Sequence, residues 1–503
     1  MSSPSSIELS HPPTPESDNE CAKLSKPTVD RITALPDAIL GHVLSFLPIE
    51  DAIKTQVLSK RWLHIWTYST SLEFLSDSDS SEKTVSDFVS FVDKTIVLCN
   101  CSKLKKFGVE FRYESDYASN VNLWTRFATG KGAEELQLDF DLCDLFESDS
   151  YVLPQLLYTN SSFKTLKFSA CQVLPKGVVC WNSLKKLTIG YANLSEDVIQ
   201  KILAGSPLLE ILELYCFYGF NHLHVSSASV KKLILRDVWD DDDDDGDDDD
   251  DGDDYDDDDG GGHHSMLEIS APHLHSLEIS GSLGDKICRL GDVSSLIDAN
   301  ISFHMKSRYY SDDYERHPNM LRGLLQSLIH VKNITLGDWA LQVLGIMEEK
   351  GLCSPWLECE CLTLDTSIRK SVLPGIAHML ESSYNLVTLV ITLSSSSCDE
   401  YFGDKFPGLC NFDEKHYWTS QKKAFTCLVF HLQKVKFIGL VQCQFDFYLS
   451  FVQFLLKNSL VLHKMVIDTL MESCKWQKEF VRAAQMLLSF PRSSPNAVVF
   501  LYE

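Results

Sequence analysis

A pattern of apolar residues that recurs through the middle of the chain constrains its fold more than any other feature. Each copy has an apolar residue, two residues of any type, a second apolar residue, one residue of any type and a third apolar residue. In five copies the second apolar residue is a leucine, at Leu166, Leu187, Leu212, Leu233 and Leu277. Successive leucines are 21, 25, 21 and 44 residues apart. Similar copies occur at residues 133–138, 331–336, 357–364 and 386–391. This spacing predicts stacked units that each supply one short strand.

A period in this range with two spaced leucines is typical of leucine-rich repeats. Alternation along each strand sends the apolar residues inward and the intervening polar residues outward. Stacking then buries a continuous core, so a chain of 503 residues does not need one globular centre. An ordinary α/β domain with regularly spaced strands is the alternative.

One acidic segment carries most of the net charge of −26. Residues 240–259 contain 17 aspartates, and the rest of the chain has 54 acidic against 45 basic side chains. Removing residues 239–262 from the 44-residue step restores a period of 20 residues. We therefore expect a disordered acidic loop over 239–264 between two repeats. This loop could have no function, could attract basic partners, or could shield the charge of nearby lysines. Asp247 to Gly252 resembles the start of a calcium loop, but Asp258 replaces the required glutamate, so no specific calcium site is expected.

The composition excludes several classes of function. There is no basic excess to neutralise phosphates, so nucleic-acid binding is not expected, and no apolar run approaches the roughly 20 residues that span a membrane. The N-terminus lacks a basic flank and an apolar core, so we expect a disordered tail over 1–27 and a location in the cytoplasm, the nucleus or both. The 16 cysteines are then free buried side chains. Cys99 with Cys101, and Cys359 with Cys361, are predicted to share a strand face, without a metal site.

The first ordered module should be helical. The sequence LPDAILGHVLSFLP over 35–48 places apolar residues on one helical face, with Pro36 in the first turn and Pro48 ending the helix. A second helix is predicted from Glu50, and a third segment, capped by Ser59, carries Trp62 and Trp66. Three such short helices cannot bury all of their apolar surface, so they either cover a larger domain or bind a partner.

This module, over residues 28–74, resembles the plant F-box through LPDAIL, LSFLP, Asp51-Ala and VLSKRW followed by Trp66. The resemblance implies docking on a Skp-family adaptor, which connects to a cullin and a RING protein. The residues expected to contact the adaptor or to shape that surface are Leu35, Pro36, Ile39, Leu40, Leu44, Leu47 and Pro48. Some of them must also form the core of the module.

The C-terminal pattern predicts a strand over 431–438, a helix over 449–458, a strand over 462–467, a helix over 479–488 and a closing strand over 497–501. This segment, residues 415–503, resembles the FBD domain of plant F-box proteins through residues 432–437, 451–467 and 489–497. We expect it to cap the end of the repeats. The predicted fold class is an α/β repeat: a three-helix F-box, an irregular leucine-rich-repeat solenoid over 100–400 and an FBD cap.

The outward positions of the predicted strands form the default ligand surface. The candidate substrate-binding residues on this face are Lys164, Lys167, Lys185, Lys186, Lys231 and Lys232. They could attract an acidic protein segment, a phosphorylated segment or a small anion. The alternative is a solvated polar face.

The sequence contains no glycine-rich phosphate loop, HExxH or GxSxG motif, so we expect no catalysis and no cofactor. The F-box resemblance implies the substrate-recognition subunit of an SCF-type ubiquitin ligase. A non-degradative scaffold and a receptor for a small hormone-like ligand are the alternatives.

Overall fold

The computed structural model describes residues 32, 35–76, 82–141, 150–239, 265–305, 313–366, 369–393, 412–413, 416–421, 423–440, 445–469 and 484–502. The acidic segment 240–259, the resemblance to a calcium loop and the N-terminal tail lie outside these residues. The strands are β1 (Ser71–Leu75), β2 (Lys106–Arg112), β3 (Glu135–Asp141), β4 (Tyr151–Val152), β5 (Thr165–Ser169), β6 (Cys171–Gln172), β7 (Lys186–Asn193), β8 (Ile211–Tyr218), β9 (His222–His224), β10 (Lys232–Val238), β11 (Met266–Ser270), β12 (Ser276–Ser282), β13 (Ile287–Leu290), β14 (Asp298–His304), β15 (Asn333–Gly337), β16 (Cys361–Asp365), β17 (Thr388–Thr392), β18 (Lys434–Leu440), β19 (Lys464–Thr469) and β20 (Val498–Tyr502).

Helices precede, follow and connect these strands. The α-helices are α1 (Asp37–Leu44), α2 (Ile49–Lys54), α3 (Glu82–Leu98), α4 (Ala118–Gly130), α5 (Gln155–Tyr158), α6 (Glu196–Ala204), α7 (Asp313–Ser327), α8 (Asp338–Glu349), α9 (Leu373–Ser382), α10 (Tyr417–Ser420), α11 (Thr426–Phe430) and α12 (Phe445–Asn458). Shorter 3₁₀ helices span Thr55–Val57, Trp62–Tyr68, Ser115–Tyr117 and Lys370–Val372.

Within the described residues, fifteen strands form one parallel sheet in the order β1-β2-β3-β5-β7-β8-β10-β12-β14-β15-β16-β17-β18-β19-β20. Every strand therefore pairs with the main-sheet strands that precede and follow it along the chain. The shorter strands form two small sheets, β13-β11-β9 and β4-β6. This order is the topology of a solenoid, in which each coil contacts its neighbours.

The predicted leucines form one buried column across this sheet. Leu166 pairs in register with Leu187, which pairs with Leu212, and the column continues through Leu233 to Leu277. All five are at most 2% exposed. Because β10 pairs directly with β12, the repeat keeps its phase across the acidic insertion, as the spacing predicted.

A second column contains residues with left-handed backbone. Ala170, Tyr191, Cys216 and Asp237 have φ between 48° and 53°, and Gly281 follows them on the next strand with φ 72°. Such angles are uncommon outside glycine. A Cβ atom at Gly281 would also lie 2.2 Å from Asp237 Oδ1. The Asp237 carboxylate accepts a hydrogen bond from the Ser282 amide at 2.9 Å, so a side chain at Gly281 would displace this hydrogen-bonded carboxylate.

The sheet extends beyond the predicted repeat region at both ends. Strand β1 precedes residue 100, and β18, β19 and β20 continue the parallel ladder after residue 400. The predicted C-terminal strands and the helix over 449–458 are present as β18, β19, β20 and α12. Of the predicted helix over 479–488, the described residues 484–489 are helical. The predicted C-terminal cap is thus a continuation of the solenoid.

Two local predictions were wrong. Ser59 does not cap the third segment of the N-terminal module, which is a 3₁₀ helix that begins at Trp62 and has no side-chain cap. Cys99 and Cys101 do not lie on a strand, because they follow helix α3 in irregular backbone. Cys359 precedes β16 and is buried, whereas Cys361 begins this strand and is half-buried.

Candidate functional site

Helix α1 divides its apolar residues between two sides. It follows Pro36, which lacks the N–H that the first turn would leave unpaired. Leu40, Gly41 and Leu44 are buried, and α1 packs against the 3₁₀ helix that carries the buried Trp62 and Trp66. Ile39 is 47% exposed on the same helix. The core of the module therefore uses one side of α1 and leaves apolar side chains on the other.

The exposed side chains form what we call the apolar set. Its members are large hydrophobic residues within 25 consecutive positions: Ile39, Val43, Phe46, Leu47, Val57, Leu58 and Leu63. Phe46 is 74% exposed and Val57 is 83% exposed. Exposed hydrophobic residues scattered singly are normal, but a concentration of this kind marks an interaction surface.

The structure divides the seven predicted adaptor-binding residues into two buried, four exposed and one half-buried residue. Leu40 and Leu44 belong to the core of the module, whereas Pro36, Ile39, Leu47 and Pro48 are exposed and Leu35 is half-buried. Val43, Phe46 and Leu63 also belong to the apolar set, although the sequence did not single them out as binding residues. The sequence did carry a signal for these residues, because the module has more apolar side chains than one helical stripe can bury.

The Arg61 side chain, just before the 3₁₀ helix that carries Trp62, forms hydrogen bonds with the start of α1. Its Nη2 and Nε atoms donate to Asp37 Oδ1 at 2.6 and 3.0 Å, and Nη2 also donates to the Leu35 carbonyl. These contacts, two of them to one carboxylate oxygen, connect Arg61 to the segment that leads into α1.

Backbone hydrogen bonds join the helical module to the sheet. The Asn100 amide donates to the Thr67 carbonyl at 2.8 Å, and the Lys105 and Lys106 amides donate to the Thr70 carbonyl. Strand β1 also packs against α2. The apolar set is therefore held in a fixed orientation relative to the first strands of the solenoid.

Most of the predicted substrate-face lysines contact carboxylates. Lys164 pairs with Glu134 at 2.8 Å, Lys185 with Glu210 at 3.0 Å and Lys186 with Glu213 at 3.2 Å. Lys167 pairs with Asp139, and Lys232 lies 4.0 Å from Glu278. For Lys231, the side chain has no carboxylate within 4.0 Å among the described residues.

These pairs connect neighbouring strands into a network. Glu213 contacts both Lys186 and Arg236, and Arg236 contacts Glu278 at 3.0 Å. Hydrogen bonds from Lys103 and Lys164 lower the pKa of Glu134 to about 2. Positive charge on this part of the face is therefore compensated in place, which favours the solvated polar face over an anion-binding stripe.

A polar cavity of about 350 Å³ opens on the same face. Its lining includes Glu110, Arg112, Asp139, Asp141 and Tyr191. Its size falls in the range of small-ligand sites, but three carboxylates against one guanidinium make it unfavourable for an anionic ligand.

The described segments also bear on membrane crossing and metal binding. None of the helices in the described segments combines the length and apolarity that a membrane crossing requires. The same segments contain no group of three or more His, Cys, Asp or Glu residues placed to hold a metal ion.

The Cys99 and Cys101 sulfur atoms lie 3.2 Å apart, and their shared hydrogen bond lowers the pKa of Cys99 to about 7.

Comparisons with known proteins match all three parts of the chain. The F-box domain matches residues 32–73, the family of leucine-rich repeats described for the FBD-associated F-box protein At5g56370 matches residues 121–244, and the FBD matches residues 421–467. The F-box/LRR-repeat protein At5g02910 of Arabidopsis thaliana is 30% identical over 448 residues, which cover 87% of this chain and 88% of the relative. The F-box/LRR-repeat protein At3g03360 of the same plant is 27% identical over 501 residues, which cover 96% of this chain and 93% of the relative.

These matches agree in order with the helical module, the parallel ladder and its C-terminal continuation. Proteins of this kind are typically non-catalytic adaptors, and an F-box implies binding to a Skp-family protein in general. On the combined length and identity of these matches, the chain belongs to the F-box/LRR-repeat family of plant proteins.

Proposed function

We propose that this chain is the substrate-recognition subunit of an SCF-type E3 ubiquitin ligase. In this proposal the F-box docks a Skp-family adaptor, which connects to a cullin and a RING protein, and the repeats bind a protein substrate. The apolar set is the observation that carries the proposal, because it leaves Phe46, Leu47 and Val57 in water unless a partner covers them.

The mechanism is proximity. The chain performs no chemistry and needs no cofactor, because the ubiquitin-loaded enzyme belongs to another subunit. Holding a substrate beside that enzyme raises its effective concentration without a catalytic residue in this chain. The complex would act in the cytoplasm, the nucleus or both.

Removing exposed members of the apolar set tests adaptor docking. We expect the double variant Ile39→Ser/Leu47→Ser to bind a purified plant Skp-family adaptor at least tenfold more weakly, because both side chains are exposed in the free chain and would be buried in the complex. Affinity is measured by calorimetry, and the melting temperature checks the fold. The matched control is Val178→Ser, which removes a side chain that is 74% exposed on the repeats.

Co-purification from plant extract separates the ligase from the scaffold. A wild-type complex that contains both adaptor and cullin, and that is lost in the double variant, supports the ligase. Adaptor without cullin would contradict it and favour the non-degradative scaffold. Adaptor affinity that is unchanged in the double variant would contradict docking through the apolar set.

A further inference from the structure

The last strands of the solenoid carry a group of exposed lysines. Lys434 and Lys436 on β18 and Lys464 on β19 are exposed, and none has a carboxylate within 4.0 Å among the described residues. Earlier in the ladder the same face behaves differently. Lys106 contacts Glu73 at 2.6 Å, and Arg236 contacts Glu278 at 3.0 Å. Within the part of the chain that the structure describes, charge compensation is thus lost at the C-terminal end.

The register places the three lysines at neighbouring positions of two strands. Lys434 pairs directly with Lys464, so their Cα atoms lie on neighbouring strands about 4.8 Å apart. Lys436 follows two residues later, about 6.6 Å along the strand and on the same face. The residues between them, Val435 and Met465, point into the core and are at most 1% exposed. Directly opposed like charges are unfavourable in a sheet, and a bound anion would relieve the repulsion.

Exposed apolar side chains border these lysines. Val498 and Phe500 on β20 are 49% and 38% exposed. The Lys464 ammonium lies 5.0 Å from the centre of the Phe500 ring. The Phe500 and Tyr502 rings stack with centres 6.2 Å apart. The surface formed by Lys434, Lys436, Lys464, Val498 and Phe500, called here the lysine–aromatic surface, therefore combines positive charge with apolar contact area.

We infer that the lysine–aromatic surface docks an acidic segment of the protein substrate, in which carboxylates alternate with apolar residues. The inference rests on the proposed function and names the site and chemical class of its substrate. An extended peptide repeats its side chains on one face about every 6.6 Å, which matches the spacing of Lys434 and Lys436. Successive side chains of such a segment point to opposite sides, so a segment lying along β19 would direct its carboxylates towards Lys434 and Lys436 on β18 and its apolar residues towards Val498 and Phe500 on β20.

The spacing of the donors is the reason for assigning carboxylates, because an extended acidic segment offers one carboxylate to each ammonium group, and a phosphorylated segment is an outcome of the test. The arginine fork matches both carboxylates and phosphates, whereas lysine binds either as a point charge. The lysine–aromatic surface presents three single ammonium groups on regular strands. Arg492, which precedes β20, donates through Nη1 to the Ala497 carbonyl at 2.9 Å. The aspartates of residues 240–259 are a second source of carboxylates, and the test must separate them from a substrate.

The test uses the full chain in complex with its adaptor. The probe is a fluorescein-labelled peptide in which Glu alternates with Leu, and its binding is followed by anisotropy at low and high salt. We expect the triple variant Lys434→Gln/Lys436→Gln/Lys464→Gln to bind at least tenfold more weakly, and Phe500→Ala about fivefold. The matched control, Lys164→Gln/Lys185→Gln/Lys186→Gln, neutralises three lysines that already contact carboxylates and should bind within twofold of wild type.

Three results would overturn the inference. One is equal peptide affinity in the wild type and in the C-terminal triple variant. Another is a phosphoserine peptide that binds tenfold more tightly than the glutamate peptide. The third is peptide binding that is absent in the wild type and appears in the variant lacking residues 240–259, because the occupant would then be the chain's own acidic segment. Adaptor affinity is measured on the same samples, so failure of peptide binding is distinguishable from failure of adaptor docking.

Discussion

His317 is a titratable side chain placed where charge is unfavourable. It is 1% exposed in helix α7 and its Nδ1 atom accepts a hydrogen bond from Trp339 Nε1 at 3.3 Å. Burial, together with the neighbouring Arg316, lowers the pKa of His317 to about 4. The imidazole therefore stays neutral in the folded chain over a range where an exposed histidine gains a proton.

This environment predicts that the folded chain loses stability in acid. As the pH falls from about 6.5 to about 4, the unfolded chain binds a proton at this residue before the folded chain does, so the free energy of unfolding decreases by at most about 3 kcal/mol. We expect His317→Asn to remove that decrease, since asparagine can still accept from Trp339 and does not titrate. The difference in melting temperature between wild type and variant is measured at pH 7 and pH 4.5.

The exposed His275 provides the control. His275→Asn makes the same substitution at an exposed side chain and is therefore measured in parallel as the matched variant. An acid loss of stability that is the same in His317→Asn and in wild type would contradict the assignment.

At the scale of single residues, the sequence could locate the F-box module but could not divide its seven predicted adaptor-binding residues between core and surface. Leu40 and Leu47 are the same residue type, yet one is buried and the other is 41% exposed. The division depends on where the 3₁₀ helix with Trp62 packs, and that helix differs in period from the α-helix that was predicted. Propensity does not specify such a tertiary contact.

Helices α8 and α9 approach each other closely at a glycine. A Cβ atom at Gly375 would lie 1.9 Å from the Leu341 carbonyl oxygen and 2.7 Å from its carbonyl carbon. Both are backbone atoms of α8, whose residues Trp339–Met347 are buried. The two helices can keep this distance only without a side chain at this position.

Two glycine variants should therefore shift stability in opposite directions. Gly375→Ala forces α9 away from α8 and should destabilise the chain by about 2 kcal/mol. Gly323→Ala in α7 meets no atom within 4 Å and should stabilise it by about 0.5–1 kcal/mol, because glycine is a poor helix former. Both are measured by urea denaturation. A Gly375→Ala variant with the same free energy of unfolding as the wild type would contradict the close approach of α8 and α9.

Strands were easier to predict than the segments that connect them. Leucines in the central position of the repeat pattern marked β5, β7, β8, β10 and β12, because each must point into a shared core. Strand β14 was missed because its residue in the buried column is Ala299, which is too small to mark the register. The left-handed residues Tyr191 and Cys216 carried no signal either, since side chains of these types rarely adopt such angles.

At the scale of the whole molecule, the acidic insertion is separable from the ladder. It enters after Trp239 and the chain returns at Ser265, yet β10 and β12 pair over five consecutive positions. Deletion of residues 240–259 should leave adaptor binding unchanged. It should leave the free energy of unfolding unchanged or raise it by about 1 kcal/mol, because a shorter loop costs less entropy to close.

The melting temperature of the adaptor complex checks this prediction. A large decrease on deletion would show that the aspartates contribute to folding. The same deletion is an arm of the peptide-binding test, so one deletion variant serves both purposes.

The unbroken order of the sheet also sets a distance. From β1, beside the F-box, to β20 there are fourteen strand-to-strand steps, which correspond to roughly 67 Å of arc at the usual strand spacing. In the proposed complex, a substrate held at one end and an adaptor held at the other would keep a separation along the sheet determined by the number of coils. One coil more or fewer would shift the substrate about 5 Å along the sheet relative to the adaptor. Coil number would then help to set which lysine of a substrate reaches the ubiquitin-loaded enzyme, independently of the side chains that bind it.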